Sequence, residues 1–134
     1  MARKKQYKPD IYASAGNRDT FAMIYHDLII SDAFQSLTCA EKLFYVICRV
    51  QSRSQKGREC LYKHGIEEGV KYNEHDFVFP ASHMKKYGYD RSNGQKYLKA
   101  LIDKGFIKRK EQNNHRYKVN VYSFTDGWKQ WTVS

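Results

Sequence analysis

Asn93, Gln95, Lys96 and Lys99 crowd into one short stretch of the chain. Asparagine and glutamine amides can pair with adenine N6 and N7, and lysine can reach guanine O6 and N7. Arg91 and Ser92 stand just before them and add donors of the kind that hold phosphate. A second group follows in Lys108, Arg109, Lys110, Asn113, Arg116 and Lys118. This is chemistry for gripping a polyanion and reading base edges, not for breaking bonds. His26, His64, His75, His83 and His115 are scattered, with no HExxH or triad pattern and no glycine-rich phosphate loop. Triads meet in space rather than in sequence, but nothing in this chain calls for catalysis. The expectation is a protein that is not an enzyme and carries no cofactor. Cys60 and His64 lie four apart, yet two ligands without a second pair are a weak metal signal, and no metal is expected.

The elements that must position these residues can be read around them. Asp90 and Ser92 are N-cap types, so a helix starts just after Asp90. Tyr97, Leu98, Leu101 and Ile102 recur at helical spacing, and Gly105 suits the left-handed position that ends a helix. The opposite face carries Asn93, Gln95, Lys96, Lys99 and Asp103. Pro80 fits the edge of a preceding short helix, residues 81–87, with Met84 and Tyr87 inward. Gly88 and Asp90 supply the turn between the two helices. Phe77, Val78 and Phe79 read as a short buried strand before them. Residues 106–111 make a strand candidate and 112–115 a polar turn. From Arg116 to Val121, polar and apolar residues alternate as in a half-buried strand.

Short helix, turn, longer helix and basic hairpin form the helix-turn-helix pattern with a wing. The spacing Leu98, Leu101, Gly105, Phe106, Ile107 resembles the end of the recognition helix and the first wing strand of winged-helix DNA-binding proteins. The wider pattern includes Phe34 with Leu37, the run Phe77-Val78-Phe79-Pro80, Lys104-Gly105-Phe106-Ile107 and Trp128. It resembles a helix-turn-helix family of mobile elements in Gram-positive bacteria, and the N-terminal winged helices of plasmid replication initiators. The likeness spans most of residues 21–131. It implies an α+β winged helix-turn-helix, a three-helix core with a C-terminal β-hairpin wing. It also implies sequence-specific binding of double-stranded DNA, with the second helix in the major groove and the basic wing on the backbone. The role implied is a regulator, or a replication or transfer accessory factor, of a plasmid, phage or integrative element. Two positions depart from the pattern. Gly94 stands where such helices usually carry a β-branched residue, at a helix cost of roughly 1 kcal/mol relative to alanine. Tyr97 stands where they usually carry alanine.

Composition agrees with a polyanionic partner. The 134 residues suit one domain, and 24 Lys plus Arg against 14 Asp plus Glu give a formal charge of +10. Aromatics are 15% of the chain, which favours a packed core over disorder. Three cysteines without a CxxC pair, and no secretory signal or long apolar span, point to a reducing, cytoplasmic setting without membrane contact. Residues 1–18 begin with Arg3, Lys4, Lys5 and Lys8 and lack apolar periodicity, so they read as a flexible basic arm. An arm along a DNA groove and a solvated tail both fit them. Residues 19–134 form the domain.

Within that domain, residues 21–30 are apolar and ambiguous between strand and short helix. Ser31 can cap a single turn holding Ala33 and Phe34. Thr38 and Glu41 form a capping box. The helix after it is expected to run to about Ser52 with Ala40, Leu43, Phe44, Ile47 and Val50 inward, and Arg49 and Arg53 outward. Residues 54–76 hold Gly57, Gly65 and Gly69 and suggest a short helix or an Ω-type excursion. Thr125 or Asp126 is expected to cap a last turn whose Trp128 and Trp131 cover the core. Two rivals use the same residues. A binder of RNA or single strands would exploit the basic hairpin and the tyrosines, and a winged-helix interaction module would dock an acidic protein. A homodimer and protein partners encoded by the same element stay open.

Overall fold

The computed structural model describes residues 20–111 and 119–132. Among these the chain is α+β, with six helices and one three-stranded antiparallel sheet. The basic arm lies outside the described residues.

The N-terminal caps form as their residues dictate. The ambiguous apolar stretch becomes a single helical turn, α1 (His26–Ile29). In α2 (Asp32–Gln35) the Ser31 hydroxyl accepts the Phe34 N–H at 3.2 Å. α3 (Cys39–Arg53) opens on the reciprocal box, Glu41 N–H to Thr38 Oγ1 at 3.2 Å and Thr38 N–H to Glu41 Oε1 at 2.9 Å.

The inner face of α3 is turned from the expected one. Phe44, Tyr45, Cys48, Gln51 and Ser52 are buried, while Leu43 is 55% exposed. Aromatic partners across the core decide this. Phe44 stacks on Phe79 with centroids 5.5 Å apart, and Tyr45 meets Phe106 at 5.3 Å. Such rings bury more surface than a leucine does. Arg49 is consequently not outward. Its guanidinium lies 3.8 Å over the Phe124 ring, and Nε donates to the Tyr45 hydroxyl at 2.8 Å. Arg53 is exposed, as expected.

The poorly legible stretch is a full helix, α4 (Gln55–Glu68). Ser54 Oγ caps it at the Gly57 N–H, and Gly69 ends it. It packs on α3 and on β1 (Asp76–Val78), so a further long helix joins the expected three. α5 (Ala81–Lys86) and α6 (Arg91–Asp103) follow, then β2 (Ile107–Glu111) and β3 (Val121–Phe124). The sheet order is β1-β3-β2, with Phe77 opposite Tyr122 and Arg109 opposite Tyr122 on the other side. The second hairpin strand was expected over 116–121. Among the described residues the ladder runs from Val121 to Phe124, while the 112–115 turn and residues 116–118 lie outside them.

A 3₁₀ turn at Gly127–Lys129 is the last element among the described residues. Neither expected cap serves it: Asp126 makes no side-chain cap bond, and Thr125 Oγ1 donates instead to the Gly105 carbonyl at 2.7 Å. Trp128 stacks on Phe106, and Trp131 packs against the core.

One buried amide ties the layers together. Gln51 Nε2 donates to the Val78 carbonyl at 3.1 Å and to His83 Nδ1 at 2.8 Å, and Tyr87 OH donates to Gln51 Oε1 at 3.4 Å. α3 thereby holds both β1 and α5, and the amide is satisfied at both ends.

Candidate nucleic-acid interface

α6 is placed by its two ends and by one missing side chain. At the start, Asp90 Oδ1 accepts the Asn93 N–H at 2.7 Å. At the end, Gly105 adopts φ +83°, which an L side chain rarely tolerates. In between, Gly94 faces Met84 of α5, where a Cβ would stand 2.2 Å from the Met84 sulfur. The glycine that weakens the helix in isolation lets α5 and α6 approach. Leu98 and Leu101 are buried, and Tyr97 and Ile102 half-buried, on the same side.

The other side of α6 is open. Arg91, Ser92, Asn93, Lys96 and Lys99 are exposed, and Gln95 is half-buried. Ser92, Lys96, Lys99 and Asp103 follow one another at helical spacing and form a single stripe. Asn93 and Gln95 flank it on opposite sides. The Asn93 side chain also leans on its own cap, with Nδ2 3.4 Å from Asp90 Oδ2.

The hairpin cations do not act as one group. Lys108, Arg109 and Lys110 are exposed on β2, but Lys110 Nζ sits 2.8 Å from Asp76 Oδ2. Burial alone would push the Asp76 carboxyl up. Hydrogen bonds from Lys110, the Asn73 N–H and Ser123, with the lysine charge, outweigh burial and hold it below its ordinary value. Lys110 is therefore engaged inside the fold. Asn113, Arg116 and Lys118 lie outside the described residues.

Sequence reasoning missed a further cationic cluster. Lys85 and Lys86 are exposed on the last turn of α5. Lys56 of α4 comes up beside Lys86 and pushes its ammonium down, by their direct contact first, then desolvation and like charge. His83 on the same helix is also held down, by burial and then by the Lys86 and Lys56 charges. The Lys85-Lys86 pair is visible in the sequence, whereas Lys56 sits on a helix that the pattern did not reveal.

Cys60 is half-buried, and His64 stacks flat on Tyr72 with centroids 6.0 Å apart. Among the described residues no three His, Cys, Asp or Glu side chains converge as metal ligands, and no helix is long and apolar enough to cross a membrane. No family model, curated protein or solved structure matches the chain.

Proposed function

We propose that this chain is a winged-helix protein that binds double-stranded DNA in a sequence-specific way. The observation that carries the reading is the α5–turn–α6 pair, with the Ser92–Lys96–Lys99 stripe facing outward and a basic hairpin directly after it. A helix with side chains is about 10–12 Å across, and the major groove is about 12 Å wide. α6 enters that groove, where Asn93, Gln95, Lys96 and Lys99 meet base edges. Arg91, Ser92, Lys108 and Arg109 hold phosphates, joined by Asn113, Arg116 and Lys118 from the sequence between β2 and β3. Attraction to phosphate supplies most of the affinity, and base contacts supply the choice of site. The role as regulator or replication or transfer factor of a mobile element rests on the sequence resemblance.

The test is selection from random duplexes followed by sequencing of the bound pool, with competition by duplex RNA and single strands. A shared motif, and duplex DNA as the strongest competitor, support the reading. A pool without a motif, or single strands that compete best, would move the function to the RNA or single-strand class. No duplex binding even at low salt would favour a protein-docking role.

A further inference from the structure

α4 carries an apolar surface that the DNA reading leaves unused. Tyr62 is 72% exposed, Ile66 65% and the nearby Val70 44%. Tyr62 and Ile66 lie one turn apart on one face. Beside them runs an open groove lined by Leu61, Gly65, Val70 and Tyr72. An apolar patch rimmed by charge on a soluble domain marks an interaction surface.

Charge decides what fits there. The chain is strongly basic, but around this patch Lys63 and Lys71 are balanced by Glu59 and Glu67, while Lys56 at the start of the helix stands beside Lys86. Arg58 is turned onto the fold, with Nη1 donating to the Asp76 carbonyl at 2.8 Å. A polyanion gains little from a neutral face, whereas a second copy meets both signs. The spacing is self-complementary as well. Lys56 and Glu67 are both exposed and eleven residues apart, which is close to three helical turns and places them on one flank. When two α4 helices run antiparallel about a two-fold axis midway between these residues, each Lys56 faces the partner's Glu67. Tyr62 then lies at the axis beside its own symmetry copy, and Ile66 of each copy packs against the N-terminal half of the partner helix.

We propose that α4 is a homodimer interface, an isologous antiparallel helix pair closed by Tyr62 and Ile66 and keyed by reciprocal Lys56–Glu67 pairs. One helix face and a groove fall below the roughly 800 Å² per partner of a standard interface, so the dimer is a weak one. That such a dimer presents two α6 helices to two half-sites rests on the DNA-binding reading; the dimer itself does not.

Sedimentation equilibrium of the full chain without DNA, from micromolar to millimolar concentration, tests it. The wild type associates to twice its monomer mass. Tyr62→Glu and Ile66→Glu change exposed positions, keep the wild-type circular dichroism, and weaken association at least about tenfold. Lys56→Glu and Glu67→Lys each weaken it, and the double variant restores it. Leu43→Glu, at an exposed leucine of α3, leaves it unchanged. A wild type that stays monomeric throughout, or a dimer indifferent to Tyr62→Glu or broken by Leu43→Glu, overturns the interface. A double variant that does not recover overturns the antiparallel pairing.

Discussion

Replacing Lys110 with alanine leaves the Asp76 carboxylate without its cation. The Asp76 side chain is 0% exposed and the Lys110 side chain 36%, with 2.8 Å between the charged atoms. Removing one partner of a fully buried pair costs about 3–5 kcal/mol. The lysine end is in part solvated and the Asn73 N–H still serves the carboxylate at 2.9 Å, so the expected loss is about 2 kcal/mol. The pH dependence has a definite sign. The wild-type carboxyl is held below 3.8, so its contribution is complete above that value and is lost as pH falls through the lowered folded value. In the variant, burial dominates and the carboxyl moves up, so the folded state takes up a proton sooner. The gap between the two proteins is widest near neutrality and narrows in acid. Urea unfolding at neutral pH and at about pH 4 measures both quantities. The same variant separates fold from function. On the proposed DNA-binding role, Lys108→Ala is expected to remove a phosphate contact and lower the salt slope by about one. Lys110→Ala, measured where it is still folded, leaves that slope nearly unchanged. Unaltered stability in Lys110→Ala, together with a slope reduced as in Lys108→Ala, would refute the assignment of this lysine to the fold.

Gly94→Ala gains roughly 1 kcal/mol of helix propensity but forces Met84 to move in a closed core, at about 1–3 kcal/mol. A lower melting temperature is expected, and a higher one would show that α5 and α6 have slack between them. Asp90→Ala removes the α6 cap and costs about 1 kcal/mol in urea titration; no loss would mean that packing alone starts the helix. Asn93→Ala or Gln95→Ala costs roughly 1–3 kcal/mol on the selected site and relaxes preference at one or two base pairs. Equal losses on matched and mismatched duplexes would show that these amides read nothing. Deleting residues 1–8 leaves the melting curve intact, and a large destabilisation would contradict the reading of the arm as solvated.

The sequence was most legible where structure is local. Ser31, Thr38 with Glu41, and Asp90 cap helices through partners three residues away, and each does so here. The apolar period of Leu98 and Leu101, stopped by Gly105, placed α6 and its outward stripe. Legibility failed where a distant partner decides. Leu43 and Tyr45 offer two plausible faces for α3, and the choice belongs to Phe106, Phe79 and Phe124, all more than thirty positions away. α4 was hidden because its glycines read as breakers. Gly57 is buried where a Cβ would lie 2.3 Å from the Gln51 carbonyl, so the close approach of α3 and α4 demands what propensity alone discourages. Lys110 looks in sequence like Lys108 beside it, because the partner that distinguishes them is Asp76 in another strand.

Several of the chain's cations are structural. Arg49 lies over Phe124, Arg58 is bound to the Asp76 carbonyl, Lys110 meets Asp76, and Lys104 Nζ donates to the Ser36 carbonyl at 3.0 Å while facing Trp131. They still add to the far field of the molecule, which an ion-exchange column registers as total charge. Released counterions, by contrast, count only cations that reach a phosphate. Retention on a sulfonate resin and the ionic dependence of the proposed duplex binding are therefore expected to rank variants of this protein differently. Arg58→Gln is expected to move the elution position and, on the proposed DNA-binding role, to leave the counterion number alone.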